Sequence, residues 1–325
     1  MIVENWEKSL RPKKLSDFVG QEELKKRISL LIEAAKIRGE SPDHILFYGP
    51  PGLGKTTLAS IIANELSSPF VQLSGPSLTR AGDLAAILSG IDKGSVIFID
   101  EIHRIPRSCE EMLYSAMEDF RIDIVVGKGI MAKTIKIDLP SFTLVGATTR
   151  LGLLTGALRS RFGVIERIDY YPVEDLEKIV FRSARILGVE VSEKAAKELA
   201  LRGRGTPRIV NRLLKRVRDY AQVNGKGLID EETILKAFEF YNVDPYGLDS
   251  TDWKLISVII EKFSGGPVGI ETLAAALNEE PDTISEVYEP YLMRMGFIER
   301  TKRGRVATQR AYDIWKRRGC NGIFG

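Results

Sequence analysis

The stretch GPPGLGKT, residues 49–56, decides the fold, and it stands between the apolar run HILFY and the helix-like run TLASIIANEL. It matches the pattern GxxxxGKT, in which a glycine-rich loop joins a strand to a helix. Glycines let backbone N–H groups approach a phosphate closely, and the start of the next helix adds a favourable dipole. The stretch therefore predicts nucleotide binding. We expect phosphate contacts from Gly52, Gly54, Lys55, Thr56 and Thr57.

Around this loop, residues 42–150 alternate short apolar runs with helix-like stretches. The apolar runs are rich in Val, Ile, Leu and Phe and end in Gly, Asp or Thr, which is typical of parallel strands buried on both faces. The pattern predicts an α/β fold with a parallel sheet. Ligands of such a sheet bind at the carboxyl ends of its strands.

The motif SVIFIDE, residues 95–101, predicts a buried strand that ends in two acids. Asp100 and the Thr56 hydroxyl would hold Mg²⁺, Lys55 would reach the β- and γ-phosphates, and Glu101 would deprotonate the attacking water. A protein that only binds nucleotide has no need of the second acid, so the pair predicts hydrolysis. Thr149 ends the strand FTLVGATT and would sense the γ-phosphate if that strand neighbours both motif strands.

Residues 121–139, RIDIVVGKGIMAKTIKIDL, predict a β-hairpin, because two β-branched segments flank a glycine-containing turn. The hairpin carries more apolar residues near its tip than it needs for its own packing. Either the body of the protein or a partner therefore covers them. These residues are Ile124, Val126, Ile130 and Met131.

The pattern changes twice in the second half of the chain. After Pro172 it becomes a series of capped helices, which predicts a small all-helical domain. Three short helices and two strand-like runs around Arg303 and Gly304 then predict a winged helix-turn-helix. We expect domains at residues 1–171, 172–243 and 244–325.

Charge in the last domain is strongly polarised, with a net of −7 over residues 246–293 and +7 over residues 294–318. A basic hairpin suits a wing that lies along a phosphate backbone, where charge gives affinity without sequence information. The candidate recognition helix carries Asp282, Glu286 and Glu289 in place of base-reading side chains, which favours backbone tracking. The alternative is a solvated run of charges.

Composition limits the remaining classes. The chain has 325 residues, a net charge of +3 at pH 7 and two distant cysteines, Cys109 and Cys320. These features argue against a disulfide framework and a structural zinc site. No apolar run is long enough to span a membrane, and the first residues lack the apolar core of a signal peptide, so we expect a cytoplasmic protein.

Taken in order, the motifs resemble those of AAA+ ATPases, and the resemblance to the RuvB family of branch-migration motors covers essentially the whole chain. Besides the loop and the acid pair, it rests on LRP at 10–12, DFVGQ at 17–21, LRSRFG at 158–163, GTPR at 205–208 and RTKRGRVAT at 300–308. It implies a P-loop AAA+ core, a helical lid and a winged helix. It also implies ATP or ADP and Mg²⁺ as cofactors, a hexameric ring, RuvA as partner, and ATP-driven movement of the duplex arms of four-way junctions.

The resemblance also implies a nucleotide site that extends beyond the loop. Leu10 and Arg11 would lie against the base, with Tyr171 and Pro207 near it. Arg208 would be a second sensor that touches the γ-phosphate. Arg212 and Arg216 follow on the same face of this predicted helix. From the sequence alone, a contact with the nucleotide and a contact with another subunit are equally possible for these two residues.

Arg161 would be the arginine finger, offered to the nucleotide of the next subunit. A finger supplied in trans would tie hydrolysis to assembly. At residues 156–157 the chain has Gly-Ala instead of a Ser-Pro-like pair, so we expect a more flexible finger loop. The resemblance places an acidic element near a subunit-interface nucleotide, at Glu118, Asp119 and Phe120.

For DNA, the resemblance favours Arg300 and Arg305, and Arg303 lies between them in the turn of the wing. The apolar residues of the hairpin would be the docking site for RuvA.

Other functions stay open on the residues alone. A clamp-loader-like AAA+ switch would end in a helical collar, whereas this chain ends in a basic wing. A nucleotide-gated regulator would bind one DNA site without moving, and Glu101 and the lack of an evident base-reading helix argue against it. A protein unfoldase would need an aromatic-hydrophobic pore loop, which residues 70–94 do not show.

Overall fold

The computed structural model describes residues 9–126, 133–224 and 227–321. The chain divides into two compact units, Met1–Asp175 and Leu176–Gly325. Within the described residues, no helix is both long and apolar enough to cross a membrane.

The strands of the first unit are β1 (Ile45–Tyr48), β2 (Phe70–Ser74), β3 (Val96–Asp100), β4 (Arg121–Val126), β5 (Lys133–Asp138), β6 (Thr143–Thr148) and β7 (Val164–Arg167). A parallel five-stranded sheet has the order β2-β3-β6-β1-β7. β1, β3 and β6 are almost wholly buried, which explains their continuous apolar sequences. The edge strands β2 and β7 are only partly buried, so their sequences carry a weaker strand signal.

The helices of the first unit are α1 (Glu22–Arg38), α2 (Lys55–Glu65), α3 (Ala81–Ser89), α4 (Arg107–Glu118) and α5 (Gly156–Arg159). One apolar core joins α4 to the sheet, with Leu113 and Met117 beside Ile97 and Leu144. α5 is capped by the Thr155 hydroxyl, which accepts a hydrogen bond from the Leu158 N–H at 3.1 Å. This packing and capping give α4 and the start of the finger loop defined positions.

The predicted hairpin is present as the antiparallel pair β4 and β5, with Arg121 opposite Asp138. Ile122 anchors its base because that side chain is fully buried in the core of the first unit. Ile130 and Met131 lie outside the described residues, as do the side chains of Ile124 and Val126.

The second unit begins with a group of helices, which confirms the predicted helical region. Its elements are α6 (Val173–Leu187, which starts just before the unit boundary), β8 (Glu190–Val191), α7 (Glu193–Arg202), α8 (Pro207–Asn224), β9 (Leu228–Ile229) and α9 (Glu231–Phe240). Ser192 caps α7 and Asp230 caps α9 through their side chains. The short parallel pair of β8 and β9 was not predicted, because two-residue strands leave no pattern in the sequence.

The rest of the second unit is a winged helix. Its elements are α10 (Ser250–Ser257, continued by a π turn at Val258–Lys262), α11 (Ile270–Leu277), α12 (Pro281–Thr283, continued by a π turn at Ile284–Tyr288), α13 (Glu289–Arg294), β10 (Ile298–Thr301), β11 (Gly304–Ala307) and α14 (Gln309–Asn321). β10 and β11 form the wing, with Arg300 opposite Arg305. The core of the winged helix contains Leu255, Ile259 and Phe297, which are fully buried.

Candidate active site

The phosphate-binding loop joins β1 to α2 and needs glycine for steric reasons. A Cβ on Gly49 would lie 2.3 Å from the carbonyl oxygen of Ile168, and a Cβ on Gly54 would lie 3.1 Å from the Phe18 ring. Both glycines also have positive φ values, of +138° and +106°. Close packing against Ile168 and Phe18 therefore requires glycine at both positions, and the loop ends at the start of α2, where a helix N-terminus favours phosphate.

Lys55 is buried at the first position of α2. Its Nζ donates hydrogen bonds to the carbonyl oxygens of Gly49, at 2.7 Å, and of Pro50, at 2.8 Å. The charge therefore lies at the loop itself. Thr56 and Thr57 follow on the first turn of α2 and are half-buried.

Of the residues assigned to the nucleotide base, Tyr171 contacts the phosphate-binding loop. Tyr171 is buried and donates its hydroxyl hydrogen to the carbonyl oxygen of Leu53 at 3.1 Å. Burial raises the pKa of Tyr171 above its ordinary value, so the hydroxyl stays protonated and keeps this bond. Leu10 is buried and Arg11 half-buried. A Cβ on Gly20 would lie 3.0 Å from the Tyr171 ring, which shows how closely the N-terminal segment approaches it.

The acid pair lies at the carboxyl end of β3, beside β6. Because β6 lies between β1 and β3, its last residues come between the phosphate-binding loop and the acids. The strand that ends at Thr149 thus neighbours both motif strands, as its predicted role requires. The Thr149 hydroxyl donates to Oε2 of Glu101 at 3.3 Å. Asp100 accepts a hydrogen bond from the Glu101 N–H at 3.0 Å through Oδ1. Glu101 has a φ of +48°, a left-handed conformation that ends the strand abruptly.

His103 also contacts Glu101, and the sequence reasoning assigned it no role. Its Nδ1 lies 3.2 Å from Oε2 of Glu101 and 2.9 Å from the Thr148 hydroxyl. A carboxylate only accepts hydrogen bonds, so the contact with Glu101 requires a proton on Nδ1. The spacing Glu-Ile-His was the available signal, because the short 3₁₀ turn Ile102–Arg104 carries the histidine back towards the strand end.

Arg161 lies on the loop after α5 and contacts α4 of the same chain. Its Nη2 donates to Oε2 of Glu118 at 3.2 Å, and its Nη1 donates to the carbonyl oxygen of Ala157 at 2.8 Å. Of the other residues in the acidic element, Asp119 pairs with Arg121 at 3.6 Å and Phe120 packs against Phe142. The structure thus brings the finger and the acidic element together in one chain.

Pro207 and Arg208 belong to the second unit, where they open α8. Arg208 is exposed, as are Arg212 and Arg216 on the following turns. The Arg216 guanidinium lies 5.8 Å from the centroid of the Tyr241 ring.

In the wing, Arg300 and Arg303 are exposed, but Arg305 is not. The Arg305 guanidinium makes a two-point ion pair with buried Glu289, through Nε and through Nη2 at 3.1 Å. The contact of Arg305 with DNA stays a prediction, and the structure shows that this charge is already paired inside the domain. The expectation for Glu289 is wrong, since Glu289 belongs to the core and not to the exposed face of the recognition helix.

Sequence profiles of one family match most of the chain. The Holliday junction DNA helicase RuvB P-loop domain matches residues 10–168, the RuvB AAA lid domain residues 171–244, and the RuvB C-terminal winged helix domain residues 245–316. The chain belongs to the RuvB family.

Individual RuvB proteins agree with this membership. The Holliday junction branch migration complex subunit RuvB of Rubrobacter xylanophilus is 60% identical over 309 residues, which cover 95% of this chain and 87% of that protein. The structure of the Thermotoga maritima RuvB Holliday junction branch migration motor matches with a TM-score of 0.87 at 52% identity, over 95% of this chain and 98% of that chain. A variant of the same protein gives a TM-score of 0.86 at 52% identity, over 94% and 98%. The expected AAA+ core, helical lid and winged helix are thereby confirmed, and the chain is an AAA+ ATPase of the helicase type.

The residues present fit the nucleotide and metal that a RuvB P-loop ATPase uses. Gly49 and Gly54 adopt the positive-φ backbone of a glycine-rich phosphate-binding loop, and Lys55 follows directly at the start of α2. No group of three or more His, Cys, Asp or Glu side chains in the described residues could hold a metal ion by itself. Mg²⁺ would therefore depend on Thr56 and Asp100 together with phosphate oxygens, as in nucleotide-bound magnesium sites.

Proposed function

We propose that the chain is an ATP-driven motor that moves duplex DNA and branch-migrates Holliday junctions in recombination and repair, acting with RuvA. The observation that carries this proposal is the placement of Glu101 and Thr149 at adjacent strand ends beside the phosphate-binding loop. A carboxylate held next to a polar strand end at this position suits hydrolysis and not only binding. The same chain also carries a basic wing, as a DNA motor requires.

Each residue has one task in the proposed reaction. Lys55 binds the β- and γ-phosphates, and Thr149 reports the γ-phosphate to the acid pair. Glu101 orients the attacking water and accepts its proton. Thr56 and Asp100 would hold Mg²⁺, which would supply charge neutralisation at the phosphates.

Residues around the nucleotide base and residues of the lid complete the proposed site. Leu10, Arg11, Tyr171 and Pro207 hold the base and sugar region, and Arg208 contacts the γ-phosphate from the lid. The buried Tyr171 ring and its bond to Leu53 support this arrangement, because they fix one wall next to the loop.

Arg161 is proposed to act on the nucleotide of a neighbouring subunit in a ring of identical chains, with six as the expected number. Glu118, Asp119 and Phe120 lie on the same side of the proposed subunit interface. The contact of Arg161 with Glu118 supports this, since it joins the two elements into one surface. Hydrolysis would then depend on assembly.

DNA would be held by the exposed cations of the wing, Arg300 and Arg303. Both contact phosphates in this proposal, so binding would not depend on base sequence. RuvA would dock on the hairpin at Ile124, Val126, Ile130 and Met131. Ile130→Asp is expected to abolish a complex with RuvA in size-exclusion chromatography, and an unchanged complex would remove this assignment.

The deciding experiment follows a synthetic four-way junction as it converts into duplex products, with ATP, Mg²⁺ and RuvA present. Glu101→Gln is the matched control, because it removes one negative charge and leaves the shape of the side chain. Conversion by the unaltered chain alone supports the motor. ATP hydrolysis without conversion would favour a clamp-loader-like switch, and a footprint on one unique duplex sequence would favour a regulator.

A further inference from the structure

The guanidinium of Arg161 lies on the face of an aromatic ring. Its Cζ is 4.7 Å from the centroid of Tyr114, a residue of α4. Glu118, one helical turn further along α4, accepts the hydrogen bond from Nη2, and Ala157 accepts the one from Nη1. The side chain of Arg161 is 21% exposed, and its Nε is buried with no hydrogen-bond partner in the described part of the chain. The Tyr114 ring therefore covers one face of the guanidinium, whereas the two hydrogen bonds hold the Nη atoms at its edge.

Tyr114 is itself held at its hydroxyl end. Its hydroxyl donates to Oε1 of Glu110 at 2.8 Å and lies 3.2 Å from the Thr155 hydroxyl. Thr155 also donates to Glu110 and caps α5, the short helix that leads into the finger loop. The ring is thus tied to α4 by Glu110 and to the finger loop by Thr155. The expected flexibility of this loop is countered by these contacts.

An arginine side chain has many rotamers in water, and a charge stabilises a transition state best when its position is fixed before the reaction. Glu118 alone would attract the cation without fixing the plane of the guanidinium. An aromatic face fixes that plane, because the cation is attracted to the ring quadrupole. The hydrogen bonds of the Tyr114 hydroxyl go to Glu110 and Thr155, which belong neither to the phosphate-binding loop nor to the acid pair.

We infer that Tyr114 is a positioning residue for the arginine finger, and that it acts through Arg161 on hydrolysis in the neighbouring subunit and not in its own. The inference rests on the proposed trans action of Arg161. It gives α4 a role in the proposed oligomer that family membership does not assign, since the Tyr114 side chain would act without touching the nucleotide.

The test compares Tyr114→Met, which keeps apolar bulk but removes the aromatic face, with Tyr114→Phe, which keeps the face and loses the hydroxyl. Tyr114→Met is expected to lower kcat for ATP about tenfold or more, because a misplaced catalytic group costs that much, with KM unchanged. Tyr114→Phe is expected to stay within about threefold of the unaltered chain, because the cation–π contact survives. Tyr114→Leu serves as a second variant if the Met form fails to fold, and circular dichroism checks each one.

Mixed oligomers then separate action on the neighbour from action on the same subunit. Tyr114→Met subunits have an intact site and an impaired finger, whereas Glu101→Gln subunits have an impaired site and an intact finger. Mixing them is expected to raise hydrolysis above that of either variant alone, because some intact sites then face an intact finger. Arg161→Ala mixed with Glu101→Gln is the reference.

Three results would overturn the inference, and the two from mixed oligomers do so in distinguishable ways. If the Arg161→Ala mixture recovers activity but the Tyr114→Met mixture does not, Tyr114 acts within its own subunit and the trans finger stands. If the Arg161→Ala mixture itself shows no recovery, the trans assignment in the proposed function fails, and the inference fails with it. Unchanged kcat in Tyr114→Met would also overturn it.

Discussion

Glu101 is held from two sides by hydrogen-bonding neighbours in its own chain, Thr149 and His103. The His103 side chain is 7% exposed and that of Glu101 is 32% exposed, so the contact is buried on the histidine side. A general base must point at the water it activates, and its neighbours determine that direction. The structure therefore makes His103 a candidate for orienting Glu101, a role that the sequence did not assign to it.

We predict that His103→Ala lowers kcat for ATP about tenfold, with the affinity for nucleotide unchanged, because the carboxylate loses its orientation and not the phosphate contacts. Steady-state ATPase kinetics combined with binding of a fluorescent nucleotide measure both quantities. His103→Gln, which still offers an N–H donor, is the matched control and should recover part of the rate. A raised KM at unchanged kcat would contradict the prediction.

Substitutions of Lys55 and Glu101 are predicted to impair ATP hydrolysis at different steps. Lys55→Ala should lose nucleotide affinity, because the buried cation that meets the phosphates is gone. Glu101→Gln should bind ATP and stall, because the phosphate contacts remain and the base does not. Equilibrium binding and single-turnover hydrolysis distinguish the two outcomes. Turnover by Glu101→Gln at the unaltered rate would show that another group activates the water.

Among the elements, the wing pairs an exposed arginine with a buried one. Arg300 and Arg305 face each other across β10 and β11, yet only Arg300 is exposed. The difference arises because Glu289 on α13 lies within reach of Arg305. Removing one partner of a buried ion pair leaves an unpaired buried charge.

Arg305→Met is therefore predicted to destabilise the protein by about 3 kcal/mol or more, since it leaves Glu289 buried and unpaired. Arg300→Ala and Arg303→Ala are predicted to leave stability unchanged and to weaken duplex binding, each lowering the slope of log K against log salt by about 1. Urea unfolding and DNA-binding titrations at several salt concentrations check the two parts. A stable Arg305→Met chain that loses DNA affinity would reverse the assignment.

The loop between α7 and α8 ties the lid helices to the winged helix within the second unit. Arg202 donates through Nε to the carbonyl oxygen of Asp244 at 3.0 Å, and Arg204 donates to the carbonyl oxygen of Gly247 at 2.8 Å. Arg204 also forms an ion pair with Asp252, a fully buried residue of the capping box of α10. Through these contacts, the loop that precedes Arg208 is fixed to the winged helix of the same unit.

This link predicts a pH dependence of stability. Burial raises the pKa of Asp252 from 3.8 to about 6, an effect that the neighbouring Arg204 charge only partly offsets. Between about pH 4 and pH 6 the folded chain holds a proton that the unfolded chain has released. The unfolding free energy therefore falls as pH rises through this window, by about 3 kcal/mol in total for this group.

Urea unfolding from pH 4 to pH 7 measures this dependence in the unaltered chain and in Asp252→Asn. The variant cannot ionise at this position, so its stability curve should lack the decline of the unaltered chain. Asp252→Asn also removes the nearer of the two carboxylates that pair with Arg204, so the absolute stability of the variant is not the readout. Parallel curves for the two proteins would show that Asp252 ionises at its ordinary pKa in the folded state.

At the scale of the whole molecule, the charged residues counted from the sequence divide into exposed residues and residues buried in the core. The sequence shows a sharp change from acidic to basic at residue 294. Part of that contrast is internal, because Glu289 and Arg305 neutralise each other in the core of the winged helix. The basic surface that the proposal assigns to DNA is accordingly smaller than the count of basic residues indicates, and it includes the exposed Arg300 and Arg303.

The sequence by itself determined the class of fold and the chemistry of the loop. The runs HILFY, SVIFID and FTLVGATT are continuously apolar because both faces of their strands are buried, so the central sheet could be predicted. The motif at residues 49–56 was equally plain, because phosphate binding restricts which residues can stand at each position. The partly buried edge strands β2 and β7 carried no comparable signal.

Only the tertiary structure decided which polar side chains meet. Arg305 and Glu289 are 16 residues apart, and Arg161 and Glu118 are 43 apart, and neither pairing follows from periodicity. The same is true of Thr149 with Glu101, whose contact depends on β6 lying next to β3. Periodicity reports whether a residue is buried, because burial follows the local repeat of a helix or strand. Partners across the fold depend on how the elements pack, and one local stretch of sequence does not carry that information.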